Sequence, residues 1–150
     1  KMTYSELERQ SKIRPYRARA REIQRLLQVA ARDLAAAARN LDDDPDWAFS
    51  IAYNAALQAA RSLMLHRGYR PRGKDQHWTV VRFAELTLGE GRRSQVAYFD
   101  QMRRKRHRVV YEVAGLISRQ EAEQALDFCK EFVEEIRLFI TGQPRLGKKG

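Results

Sequence analysis

Residues 45–67 constrain the fold more than any other stretch, because they are apolar on most sides of a helix. Trp47, Ala48, Phe49, Ile51, Ala52, Tyr53, Ala55, Ala56, Leu57, Ala59, Ala60, Leu63, Met64 and Leu65 leave no broad wet face, so other helices must surround this one. The polar exceptions Ser50, Asn54, Gln58 and Arg61 fall close together on a helical wheel. That narrow strip is either the helix's one wet edge or the wall of a cleft. The start is written locally: Asp44 is a good N-cap, Pro45 suits the first helical position, and the neighbouring aspartates complement the helix dipole. They are read as helix-start chemistry and not as a metal site.

The remaining segments supply the surrounding layer. Ile23, Leu26, Leu27, Ala30, Leu34, Ala37 and Leu41 recur every three and four residues and predict a long amphipathic helix over 18–41. A short helix is expected over 79–88, closed by Gly89 and Gly91, and a long one over about 93–116. The last helix begins at a Ser118–Glu121 capping box, carries a clean apolar stripe and stops at Gly142. Residues 1–17, interrupted by Pro15, form an N-terminal extension with a short helix, and 143–150 form a basic disordered tail. No strand pattern competes. The expectation is an all-α fold, an up-and-down bundle of about five to six helices in a single domain over 18–142.

Charge narrows the partners. With 29 Lys+Arg against 19 Asp+Glu, the net charge of +10 favours polyanions by long-range attraction. The lone Cys129 excludes an internal disulfide and fits a reducing compartment. No uninterrupted apolar run of about 18 residues exists to cross a membrane, and Lys1, Glu6, Glu8 and Arg9 stand where an apolar signal core would be, so a cytoplasmic location is expected.

The basic run Arg103-Arg104-Lys105-Arg106-His107-Arg108 carries the sharpest local signal. On a helix, Phe99, Met102, Val109, Val110, Val113 and Ile117 share one face, and Arg106 falls in its middle. A buried unpaired guanidinium is costly, so Arg106 either snorkels along the core or opens onto a cleft. His107 and Tyr111 lie four apart on the flank of that stripe with Arg103 in line, while Arg104, Lys105 and Arg108 are expected on a solvated face. Arg70, Arg72 and Lys74 add cations in the loop before the short helix.

Several chemistries lack their motifs. There is no phosphate-binding Gly-rich loop with a following Lys-Ser or Lys-Thr, no paired Cys-x-x-Cys, no serine nucleophile elbow, and His66, His77 and His107 do not have helical metal-site spacing. No cofactor and no metal is implied.

What remains resembles the HEPN family of helical nucleotide- and RNA-associated domains. The match runs over residues 46–140 and is carried by the central-helix segment from Asp46 to Leu65, the loop Gly68-Tyr69 leading to His77, and Arg106-His107 with Tyr111. The resemblance implies a HEPN-like bundle, a homodimer whose two copies of the motif line one cleft, and Arg106, His107 and Tyr111 as the chemical positions. Many active HEPN ribonucleases carry Arg, then four to six residues, then His, with a polar residue after the Arg. Here Arg106 and His107 match the first two positions, but Tyr111 stands where the nuclease has His, and no other pairing restores the motif. A non-catalytic branch of the family, also with Tyr there, looks like the closer match. Metal-free cleavage through a ribose 2′-hydroxyl needs a proton acceptor working near neutral pH, and a phenol is a poor substitute for an imidazole. The first expectation is therefore a helical protein that binds RNA or nucleotide through Arg106, His107 and Tyr111 with Arg103, Arg104, Arg70, Arg72 and Lys74, within a toxin–antitoxin or defence system. The alternatives are a metal-independent endoribonuclease toxin with a variant motif and an interaction module that pairs with a small nucleotidyltransferase.

Overall fold

In the computed structural model, which describes residues 2–143, the central helix α3 spans Pro45–His66. The Asp44 carboxylate accepts a hydrogen bond from the Trp47 amide at 3.1 Å, and Pro45 occupies a position that needs no amide hydrogen. Ala52, Tyr53, Ala55, Ala56, Ala59 and Leu63 are fully buried, so α3 forms the axis of the core. Around it pack α2 (Ala20–Asn40), α4 (Gln76–Leu88), α5 (Arg93–Tyr111) and α6 (Arg119–Thr141), giving an all-α bundle. The α2–α3 contact is the most extensive, and the buried Ala30 and Ala37 of α2 permit that close approach. No helix among the described residues is long and apolar enough to cross a membrane.

Three expectations are corrected. A two-stranded sheet exists: β1 (Ile13–Pro15) pairs antiparallel with β2 (Tyr69–Pro71), Arg14 opposite Arg70. Three residues are too few for an alternating pattern, and the two strands lie far apart in the chain, so the pairing left no local signal. It is anchored by burial, since Ile13 and Leu7 of the short helix α1 (Tyr4–Arg9) are fully enclosed, while the Tyr4 ring stacks on Phe83 at 4.4 Å. The N-terminal residues thus share the one core.

The second correction concerns α5, which stops at Tyr111 instead of continuing to 116. Asp46 is the cause. Its carboxylate accepts from the Gly115 amide at 2.6 Å and from the Ile117 amide at 3.0 Å, and Gly115 turns the chain with φ of 76°. The third is the capping box of α6: Ser118 accepts from the Glu121 amide at 3.1 Å as expected, but the Glu121 carboxylate turns to Lys105 of α5. Gly142 closes α6 in the left-handed conformation, with φ of 70°. The basic tail from residue 144 onward lies outside the described residues.

Candidate anion-binding cleft

The apolar stripe of α5 divides at Arg106. Phe99 and Met102 are buried against the core, whereas Val110, past Arg106, is 45% exposed. Arg106 stands where the helix leaves the core. Its guanidinium carbon lies 5.7 Å from the centroid of the Tyr53 ring, and its Nε is buried without a hydrogen-bond partner. A cation–π contact of this kind contributes about 0.5–2 kcal/mol, which does not replace a counter-charge. Nearby, Asp100 collects three other arginines: Arg103 at 2.8 Å, Arg82 at 3.5 Å and Arg104 at 3.7 Å. Among the described residues Arg106 has no such carboxylate, and it opens onto a cleft.

That cleft has a volume of about 560 Å³. One wall is the start of α4, Asp75 through Trp78; the other is α5, with Arg103, Arg104, Arg106, His107, Arg108 and Tyr111. α4 begins without a capping side chain, and Asp75 before it takes the left-handed conformation, φ of 56°. The positive end of the α4 dipole therefore adds to the field of the arginines. His77 donates or accepts through Nδ1 at 3.1 Å from the Tyr53 hydroxyl, which leaves Nε2 as the ring nitrogen available to a ligand. Burial first, then the charges of Arg106, Arg61 and Arg103, push the His77 imidazole down to about 4, so it is neutral at pH 7. Burial likewise raises the Tyr53 phenol above its ordinary value. At the rim, the His107 and Tyr111 rings lie 4.8 Å apart, and Tyr111 is 70% exposed.

The structure brings Arg103, Arg104, Arg106, His107 and Tyr111 together at this cleft. Arg108, read as part of a solvated face, is exposed and also lines the cleft. The loop cations do not join it. Arg70 lies over the Tyr16 ring at 5.0 Å and borders a separate hollow, while Arg72 and Lys74 are exposed, the Arg72 amide bonding the Lys12 carbonyl at 2.9 Å. Sequence reasoning missed Tyr53 and Trp78 as site-forming residues and held His77 only as part of a resemblance. The helix expected over 79–88 places His77 in the preceding loop, whereas α4 begins at Gln76 and brings it into the cleft between α4 and α5.

Residues 23–139 match the HEPN domain family. The chain belongs to the HEPN family. Both walls of the cleft fall inside that matched span, so the Arg106 cleft is a feature of the HEPN domain itself and not of the N-terminal segment. No curated protein matches the chain.

Proposed function

We propose that this HEPN protein binds RNA or a nucleotide by its phosphates in the Arg106 cleft of a cytoplasmic homodimer, with little or no cleavage. The observation that carries the reading is Arg106 itself: a half-buried guanidinium, stacked on Tyr53, without a carboxylate among the described residues, facing a cleft with three more arginines. A phosphate there would supply the missing counter-charge and accept the guanidinium's forked donors. The dimer is favoured by the exposed apolar side chains Trp47 and Val110, which line one shared hollow, and by the exposed Val113 just past the end of α5. A second reading, metal-independent cleavage of RNA, is favoured by the neutral imidazole of His77 in the same cleft. With its basicity pushed down to about 4, His77 is a weak proton acceptor at neutral pH, and binding takes precedence.

The test is fluorescence anisotropy with a single-stranded RNA over a salt series. If about six phosphates are neutralised, affinity should fall by roughly two to three orders of magnitude between about 50 and 200 mM salt. Arg106→Ala should weaken binding about tenfold or more and flatten the salt slope by roughly 0.7. Binding that ignores salt, or an Arg106→Ala variant that binds like wild type, rejects the reading.

A further inference from the structure

A second hollow, of about 260 Å³, shares Gln76 with the Arg106 cleft but is walled by other elements: Arg61 of α3, Arg70 of β2, Glu22 of α2 and Tyr16 just before it. Its charges do not balance. Glu22 is the carboxylate at hand, and both of its oxygens are engaged, Oε1 by the Tyr16 hydroxyl at 2.6 Å and Oε2 by the Arg19 amide at 2.7 Å. The Tyr16 bond, foremost among its contacts, holds the Glu22 carboxyl below its ordinary value, so it stays ionised and sets one negative charge against the two guanidiniums. Arg70 rests over the Tyr16 ring with its guanidinium 5.0 Å from the centroid, a contact that uses its π-face and leaves its N–H edge free.

Arg61 is the decisive residue. It sits on the most apolar helix of the chain, among buried alanines and leucines, where packing alone would favour another aliphatic side chain. Its Nε is buried without a partner, and it forms no ion pair among the described residues. Burial lowers the guanidinium's pKa from its ordinary value, the mark of a cation held without a counter-charge. Two arginines from different elements thus converge on one small hollow lined by a single carboxylate, which leaves it a net positive charge. We infer that Arg61 and Arg70 form a second phosphate-binding subsite, distinct from the Arg106 cleft, which holds one phosphate group of a nucleotide. Phosphate fits better than a carboxylate because its tetrahedral oxygens can meet donors arriving from two directions, and Arg presents them in a fixed fork. The inference stands whether or not the Arg106 cleft binds RNA. The phosphate can come from a free mononucleotide or from an RNA strand that continues past Gln76, and the two sources are separable.

The experiment follows the Nε–H resonances of Arg61 and Arg70 by NMR in the full chain, titrated with inorganic phosphate against sodium chloride at equal ionic strength. Phosphate should move both signals saturably, in wild type and in Arg106→Ala alike. Arg70→Met, a change at an exposed position, should weaken the response of Arg61 about tenfold or more, and Arg61→Met should do the same to Arg70. An Arg61 signal that responds to phosphate no more than to chloride overturns the inference, as does an Arg70→Met variant that responds like wild type. Two further titrations assign the source. Adenosine monophosphate moving Arg61 regardless of Arg106 identifies a mononucleotide. A short oligouridylate without terminal phosphates that moves Arg61 in wild type but not in Arg106→Ala identifies a strand spanning both sites.

Discussion

The Tyr53 hydroxyl lies 3.1 Å from His77 Nδ1, and this one bond ties the central helix to the first turn of α4 at the floor of the cleft. The same phenol presents its ring to Arg106. Tyr53→Phe separates the two duties, since the ring, its volume and the cation–π contact remain while the hydroxyl is lost. Urea unfolding should show a stability loss of about 0.5–1.5 kcal/mol, the net worth of one hydrogen bond, with RNA affinity changed far less than by Arg106→Ala. An unchanged midpoint would mean that solvent replaces the bond at no cost.

His77 also makes stability depend on pH. Its folded pKa, about 4, lies below the ordinary 6.5 of the unfolded chain, so between those values the unfolded state binds the extra proton. Stability is therefore complete above pH 6.5 and falls as pH drops toward 4, where the loss levels off. Because the ring is only half-buried, solvent screening discounts the full shift, and a loss of roughly 1–2 kcal/mol across this window is expected. His77→Gln keeps a polar partner for Tyr53 and removes the titration. Its thermal midpoint should show a shallower decline from pH 6.5 to 4 than wild type, and parallel curves would reject the assignment.

Asp46 fixes where α5 ends and how the rim of the cleft is shaped. Asp46→Asn keeps one acceptor but loses the charge that serves both the Gly115 and the Ile117 amides. A charge-assisted pair of this kind contributes about 1.5–3 kcal/mol. Hydrogen exchange at Gly115 and Ile117 should accelerate while the amides of α3 keep their protection. Uniform acceleration across the bundle would instead show that Asp46 stabilises the whole fold.

The way α5 ends also shows what a sequence can and cannot disclose. Asp44, Pro45, Ser118 and Gly142 mark helix ends through contacts within a few residues of themselves, and each does so as read. The helical wheel extends α5 to about residue 116 because the apolar period continues past Tyr111, whereas the turn is imposed by Asp46, a residue distant in the chain. The β1–β2 pair escaped for the same reason: Arg14 and Arg70 are distant in the chain, and their pairing is held by the burial of Leu7 and Ile13. Arg106 was legible because an arginine on an apolar stripe is costly wherever the stripe packs. His77 gains its meaning only where α3 and α4 meet, a relation that no local pattern encodes.

Assembly is tested at the exposed apolar edge. Trp47 is 54% exposed, Val110 45% and Val113 42%, large apolar side chains grouped near the end of α5. Two copies joined by a two-fold axis would cover both edges and bring two Arg106 clefts together. Light scattering at tens of micromolar should report a dimer. Val110→Asp places a charge in that interface while costing the isolated bundle little, because the site is already wet, so it should yield a folded monomer with weakened RNA binding. A wild-type monomer at those concentrations would remove the shared cleft from the proposal.

Binding and cleavage separate at Tyr111. Arg106→Ala removes a half-buried cation without a carboxylate partner, so the fold should survive it or gain stability while RNA affinity falls. Tyr111→His restores the spacing of Arg, four residues, His, at an exposed position on the rim of the same cleft, where a new side chain meets little packing resistance. An imidazole there, beside Arg106 and within reach of a bound strand, supplies the proton acceptor that a phenol cannot, and the arginines stabilise the charge developing on the phosphate. The variant should therefore gain RNA cleavage that EDTA does not stop, rising with pH through histidine's ordinary value of about 6.5. Wild type should cleave far more slowly or not at all, and Arg106→Ala combined with Tyr111→His should lose the gain. Robust wild-type cleavage abolished by His77→Gln or His107→Ala would place the proton acceptor on a histidine already present, and the ribonuclease reading would then displace the binding one.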